Sequence, residues 1–148
     1  LRFPEEADYC FTDCTSLKTI SCPLNFQGEL KTNSYGPYFS GSENAFSGCI
    51  NLESVILSDQ CAGIGQNTFH NTKIKEMLIP SSVKVIGSYA FYMCDSLKNV
   101  SIGNGIQAIS TYAFTSCNAL ETITINKPSG SISGAPWGAT NATVVWTG

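Results

Sequence analysis

The sequence predicts a repeat solenoid, a stack of short coils in which each coil lends one short strand to a parallel sheet. Three observations predict it. Phenylalanine recurs at 11, 46, 69, 91 and 114, in steps of 35, 23, 22 and 23 residues, the first step being one 23-residue unit plus a 12-residue insertion. Three positions after each Phe stand Cys14, Cys49, Thr72, Cys94 and Cys117. Aliphatic triplets then follow: Leu17/Ile20/Cys22, Leu52/Val55/Leu57, Ile74/Met77/Ile79, Leu97/Val100/Ile102 and Leu120/Ile123/Ile125. The last two members of each triplet alternate with other residues, as a strand buried on one side requires. A single unit cannot bury its apolar edge, but stacked units can, with neighbouring strands about 4.8 Å apart.

Taken in order, the units read "CFTDCTSLKTISC", "AFSGCINLESVIL", "TFHNTKIKEMLI", "AFYMCDSLKNVSI" and "AFTSCNALETITI", the third one residue short. Between units one and two lies the insertion, at about 25 to 40, rich in Gly, Ser and Tyr. A second apolar pair precedes each later Phe at eight and five positions upstream: Cys61/Ile64, Val83/Ile86 and Ile106/Ile109. Counting 23 on from Phe114 reaches Trp137, with Ile132 five before it, so a degenerate sixth unit with the strand "TVVW" is expected to cap the stack. From Phe to the first Leu there is room for no more than one helical turn, and Asp13, Asn51, Asp95 and Asn118 suit turns there. Residues 1–148 thus form one domain, and 43% hydrophobic residues suffice for its core.

The composition narrows the function. A net charge of -3 with no Lys/Arg cluster excludes a phosphate backbone or an anionic membrane surface as partner. No apolar stretch approaches the roughly 20 residues of a membrane span, and the first residues lack the basic-then-apolar order of a signal peptide. The opening "LRFPEEADYCF", without an initiator Met, reads as the start of a segment excised from a longer protein.

Catalytic and metal chemistry find no footing. Seven cysteines at 10, 14, 22, 49, 61, 94 and 117 contain no Cys-x-x-Cys, and His70 is the single histidine, so no metal site or cofactor is expected. His70 shares its column with Thr12, Ser47, Tyr92 and Thr115 and reads as a solvated turn, with no serine or cysteine fixed beside it. Glu5, Glu6 and Asp8 read as a solvated edge rather than paired catalytic carboxylates. The pairs Gly63/Gly65 and Gly103/Gly105 lack the third glycine of a phosphate cradle and are turn glycines. The chain is therefore not expected to be an enzyme. Each cysteine sits where a small apolar residue belongs, which predicts buried, reduced thiols. The alternative is a disulfide between neighbouring coils, Cys14 to Cys49 or Cys94 to Cys117.

The L-x-x-I-x-I spacing is that of a leucine-rich-repeat strand. The segments "VKVIGSYAFYMCDSLKNVSI" and "IQAISTYAFTSCNALETITI" resemble the BspA-type (Treponema-type) leucine-rich repeats, whose core runs Ala-Phe-x-x-Cys-x-x-Leu-x-x-Ile-x-Ile after a Val-x-x-Ile-Gly turn. The departures are Thr72 for Cys, Cys10 and Thr68 for Ala, the short third unit and the insertion. The resemblance implies a leucine-rich-repeat solenoid, a right-handed superhelix, and a secreted or cell-surface protein of a host-associated bacterium. It also implies a module that adheres to host proteins or other cells; the alternative is a structural spacer displaying other domains.

Contact residues are expected on the outward strand columns: Thr19/Ser21, Ser54/Ile56, Glu76/Leu78, Asn99/Ser101 and Thr122/Thr124. Ile56 and Leu78 make an apolar strip in adjacent coils. The insertion offers Tyr35 as a loop contact, while Tyr38, eight before Phe46, falls in a buried column. Asn99 and Asn141 stand in glycosylation sequons by pattern.

Overall fold

A computed structural model describes residues 2–3 and 8–148 of the chain, so the acidic positions Glu5 and Glu6 lie outside the described residues. The strands among them are β1 (Arg2–Phe3), β2 (Asn25–Phe26), β3 (Glu29–Asn33), β4 (Gly36–Ser40) and β5 (Glu76–Ile79). They continue with β6 (Val85–Ile86), β7 (Asn99–Ile102), β8 (Ala108–Ile109), β9 (Thr122–Ile125) and β10 (Thr143–Trp146). None of the described residues is helical.

The alternating aliphatics do form strands. Strands β5, β7, β9 and β10 stack as one parallel sheet, with Glu76, Asn99, Thr122 and Thr143 in one row and Leu78, Ser101, Thr124 and Val145 in another. Met77, Val100 and Ile123 point inward from the same strands and are buried. On the opposite edge of each coil the Val-x-x-Ile pairs make a second, two-stranded parallel sheet, β6 with β8, which the bridge Ile64–Ile86 extends to unit three.

Between the two sheets each coil turns through its Phe. The rings of Phe11, Phe46, Phe69, Phe91 and Phe114 stack face to face, with centroids 5.2, 5.8, 5.5 and 5.2 Å apart. Such offset ring pairs add about 0.5–1.5 kcal/mol beyond the area they bury. Backbone rungs run alongside, from the N–H of one Phe to a carbonyl of the next coil, as in Phe46 N to Thr68 O and Phe69 N to Ala90 O. Turning so tightly takes left-handed backbone on both sides of Phe in the first four coils and after it alone in the fifth. Tyr9, Asn44, Asn67 and Tyr89 hold it two residues before Phe; Asp13, Gly48, Asn71, Met93 and Ser116 hold it two after. Asn, Asp and Gly tolerate this geometry, whereas Met93 and Tyr89 bear its steric cost.

The Cys column closes the coils onto one another. In each coil the Cys N–H donates to the Phe carbonyl three residues back, at 3.1 Å for Cys14 to Phe11 and 3.2 Å for Cys94 to Phe91. A thiol then donates to the Phe carbonyl of the coil before it: Cys49 Sγ to Phe11 O at 3.0 Å, Cys94 Sγ to Phe69 O at 3.1 Å, Cys117 Sγ to Phe91 O at 2.9 Å. Thr72 substitutes for Cys by size, and its hydroxyl lies 3.4 Å from Cys94 Sγ. Thr68, in place of Ala, places its hydroxyl 2.8 Å from Ser42 O and 2.9 Å from Gly65 O.

Three expectations are corrected at the N-terminal end. The bridges Thr19–Ser54 and Leu24–Leu57 show that unit one carries two extra residues before its last aliphatic. Leu24, not Cys22, therefore fills the buried column, and Cys22 and Ser21 bulge into solvent. Cys10 is also exposed and Cys14 only half-buried, since no earlier coil covers them, while Cys49, Cys61, Cys94 and Cys117 are buried. All seven thiols are free.

The insertion is a hairpin rather than a loop. Strands β3 and β4 pair antiparallel from Glu29–Ser40 to Asn33–Gly36, leaving Ser34 and Tyr35 at the tip. The Asn33 side chain accepts the Tyr35 N–H at 2.8 Å, and Gly36 supplies the positive φ of 108° that closes the turn. The core aromatic of this segment is Phe39; Tyr38 is only half-buried. The antiparallel pairing sets the face of each residue here, so counting back from Phe46 misses by one. Phe39 seats directly over Gly63, where a Cβ would collide with its ring.

Candidate interaction surface

The outward columns of the strand sheet form the first candidate surface. Thr19, Ser54, Glu76, Asn99 and Ser101 are exposed, and Thr122 and Thr124 are half-covered. Ile56 and Leu78 break the polar trend, at 55% and 74% exposure. The pairing Thr124–Val145 extends the Leu78 row to Val145, also exposed, which counting in steps of 23 misses because the last strand comes two residues early. Ser21 leaves the surface pattern, because its place opposite Ile56 falls to Pro23.

Between units two and three the sheet is interrupted. Backbone bonds link the two coils at Lys73 N to Leu52 O and Lys75 N to Glu53 O, the latter stretched to 3.4 Å. Beyond that point, among the described residues, no backbone bond joins Val55–Leu57 to β5. The gap coincides with the one-residue deletion in unit three, which shortens the path from Phe to the strand. It opens a cleft of about 580 Å³ lined by Ser54, Val55 and Leu78 and by Glu53, Lys75, Glu76 and Lys98. Lys75 Nζ donates to Glu53 Oε2 across it at 2.7 Å, and this contact holds the Glu53 carboxyl below its usual range. With both side chains largely in water, the pair adds little to stability.

The turn side brings together residues that the sequence separates. The Ser47 hydroxyl and His70 Nδ1 lie 3.0 Å apart, so a serine does stand beside the histidine, contrary to expectation. The two occupy the same repeat column one coil apart, a juxtaposition that stacking at a 23-residue period makes necessary. Burial lowers the His70 pKa, and the nearby Asp13 carboxylate opposes that shift. The ring also stacks on Tyr92, with centroids 5.2 Å apart. Tyr92 meets Tyr89 edge-on at 5.5 Å, and Tyr89 stacks on Tyr112 at 5.4 Å, so a ladder of aromatic rings runs along the outside of the turns.

The buried thiols are chemically quiet. Desolvation pushes Cys49 and Cys94 from an ordinary 9.0 to about 11, and raises Cys61 and Cys117 as well, so none is a thiolate near neutrality. Among the described residues, no group of three or more His, Cys, Asp or Glu is placed to hold a metal ion, and no helix is long and apolar enough to cross a membrane.

A family model described as BspA type leucine-rich repeat region matches six copies over residues 4–35 and 40–137. The chain belongs to that family. The four residues left between the matched stretches, 36 to 39, lie in the hairpin, where the repeat is broken. Among solved structures, a leucine-rich repeat protein from Bacteroides ovatus is similar at 27% identity with a TM-score of 0.60. The likeness covers 83% of this chain but only 30% of that one, so the chain spans less than a third of its relative's length. Comparison with curated proteins found no significant match. The BspA-type solenoid is thus a repeat scaffold of the kind that mediates protein interaction, and its stacked Cys–Phe turns hold the strand columns at fixed spacing.

Proposed function

We propose that this BspA-type solenoid is a non-catalytic protein-binding and adhesive module, and that its partner docks on the strand face across the cleft between units two and three. The observation that carries the proposal is the pair Ile56 and Leu78, two large apolar side chains left in water on adjacent coils, Leu78 lining the cleft and Ile56 next in the chain to Ser54 and Val55, which also line it. An apolar centre rimmed by Glu53, Lys75, Glu76 and Lys98 has the make-up of a protein–protein contact. The Ser47–His70 pair does not alter the non-catalytic assignment, since Tyr92 covers one face of the ring and, among the described residues, no carboxylate hydrogen-bonds to it. Placement in a secreted or cell-surface protein of a host-associated bacterium draws support from the family and from the Bacteroides relative.

The test is a binding screen of the chain against host matrix proteins and intact cells, repeated with Ile56→Glu and Leu78→Glu combined. A captured partner that the double variant loses, with its melting temperature unchanged, is the expected outcome. Binding that survives the double variant moves the contact elsewhere on the surface. A screen in which even the native chain captures nothing favours the spacer role.

A further inference from the structure

A second depression, on the opposite side of the coils from the strand face, differs from the first in its chemistry. It is a groove of about 530 Å³, within the size range of small-ligand sites, lying between the hairpin tip and the outer aromatic ladder. Tyr35 and Pro37 form one wall, Tyr89 and Tyr112 another, and Gln66 and Gln107 reach in between. No Asp, Glu, Lys, Arg or His lines it, in contrast to the four charged side chains around the strand-face cleft.

Three features mark the groove as more than a surface irregularity. The first is a prepared aromatic platform. Tyr89 stacks on Tyr112 with an interplanar angle of 6°, and the ladder stops there because the next coil presents Ser133 and Gly134. Tyr112 is left 52% exposed, its free surface opening onto the groove. The second is backbone strain. Asn44 and Asn67 occupy the Tyr89 column in earlier coils at φ 57° and 55°, and Tyr89 is forced into the same conformation at 56°. Asn carries that geometry more cheaply; Tyr9, in the same column at φ 61°, bears the same strain, and of the two tyrosines only Tyr89 lines the groove. The third is unspent hydrogen-bonding capacity. The amides of Gln66 and Gln107 and the hydroxyls of Tyr89 and Tyr112 make no hydrogen bond within the described chain, and the Ser88 and Ser110 hydroxyls, 2.8 Å apart, retain further lone pairs toward the floor.

We propose that this groove binds a neutral oligosaccharide. A pyranose ring has an apolar face of C–H bonds that suits the face of Tyr112, and a rim of hydroxyls that both donate and accept. Side-chain amides and hydroxyls also do both, so they satisfy such a rim without charge. A phosphorylated, sulfated or uronic-acid ligand would find no cation here. A proline-rich peptide, which also favours aromatic grooves, offers mainly carbonyl acceptors and would leave half of that capacity unused. Tyr35, 96% exposed at the hairpin tip, stands where it closes over a bound chain.

The test is calorimetric titration of the chain with neutral hexasaccharides of glucose, mannose, galactose, xylose and N-acetylglucosamine, with a sulfated oligosaccharide and a proline-rich peptide alongside. Binding of at least one neutral sugar is expected, weakened about tenfold or more by Tyr112→Ala and by Tyr35→Ala. Tyr112→Phe, which keeps the ring face, should stay within about threefold of the native chain. Ile56→Glu with Leu78→Glu should leave sugar binding untouched, which separates this site from the strand face. Tyr35 touches no core residue, so its variant remains informative if Tyr112→Ala folds poorly. No binding to any neutral sugar, binding insensitive to both tyrosine variants, or binding confined to the sulfated sugar or the peptide would each overturn the proposal.

Discussion

In units three to five, β5, β7 and β9 pair in register over four residues each, and Cys94 and Cys117 are sealed against the carbonyls of the coil before. In units one and two the matching segments share only the bridges Thr19–Ser54 and Leu24–Leu57, and Cys10, Cys14 and Cys22 meet solvent. Yet the Phe stack runs through both regions without interruption, Phe11 on Phe46 as closely as Phe91 on Phe114. The turns therefore set the pitch of the solenoid, and the strand side absorbs changes in unit length. A deleted residue in unit three opens a cleft, and two extra residues in unit one make a bulge, while the ring column stays in step. Variation in surface collects where the scaffold is least constrained.

Five experiments would break or sharpen that contrast, beginning with the ring column. Phe91→Ala removes a fully buried ring between two stacked neighbours and should cost about 3–5 kcal/mol in urea unfolding. Phe11→Ala, at the half-buried end, should cost roughly 1–2 kcal/mol. Equal losses at the two sites would refute the idea that the middle coils are held more tightly.

The thiol column should show the next largest effect. Cys94→Ala loses the bond to Phe69 O and leaves a small void, for about 1–2 kcal/mol, whereas Cys94→Thr copies the residue at Thr72 and should cost less than about 1 kcal/mol. Raising the pH tests the same column collectively. The unfolded thiols ionise near 9.0, while Cys49 and Cys94 keep their protons to about 11, so the folded state binds more protons in that window. Stability is then fully present below pH 9 and should fall as pH rises toward 11, seen as a declining urea midpoint. Thiol titration of the native chain at neutral pH should label Cys10, Cys22 and, more slowly, Cys14, with all seven reacting in denaturant. The smallest effect is expected at Met93, whose φ of 58° matches Asn71 in the same column; Met93→Asn should stabilise by up to about 1 kcal/mol.

Much of this was legible in the residues themselves. The period of Phe and the alternation after it prescribe the ring stack and the inward and outward columns of β5, β7 and β9, because those depend only on spacing. The hairpin was not legible. Its strand "ELKTN" is wholly exposed and "GPYFS" mostly half-buried, so they carry no clean apolar alternation, and Gly, Pro and Ser make the segment look like a loop. Leu24 was missed for a related reason: Cys22 satisfies the repeat in sequence, and only the bridge to Leu57 shows which residue the sheet selects. The strand-face columns could thus be named in advance, but the cleft between them and the tyrosine groove could not. Both arise where the chain departs from its period, and a departure in sequence does not say which way the backbone will yield.

The thiol bonds from the Cys column to the Phe carbonyls all point the same way along the stack, from the later coil to the earlier one. Removing a coil from the C-terminal end leaves behind a Phe carbonyl that still has the N–H of its own Cys as partner. Removing one from the N-terminal end strands a buried thiol with its acceptor gone. Where this column decides, the solenoid has a mechanical grain: under tension it should peel more readily from one end than from the other, although its rings stack alike in both directions.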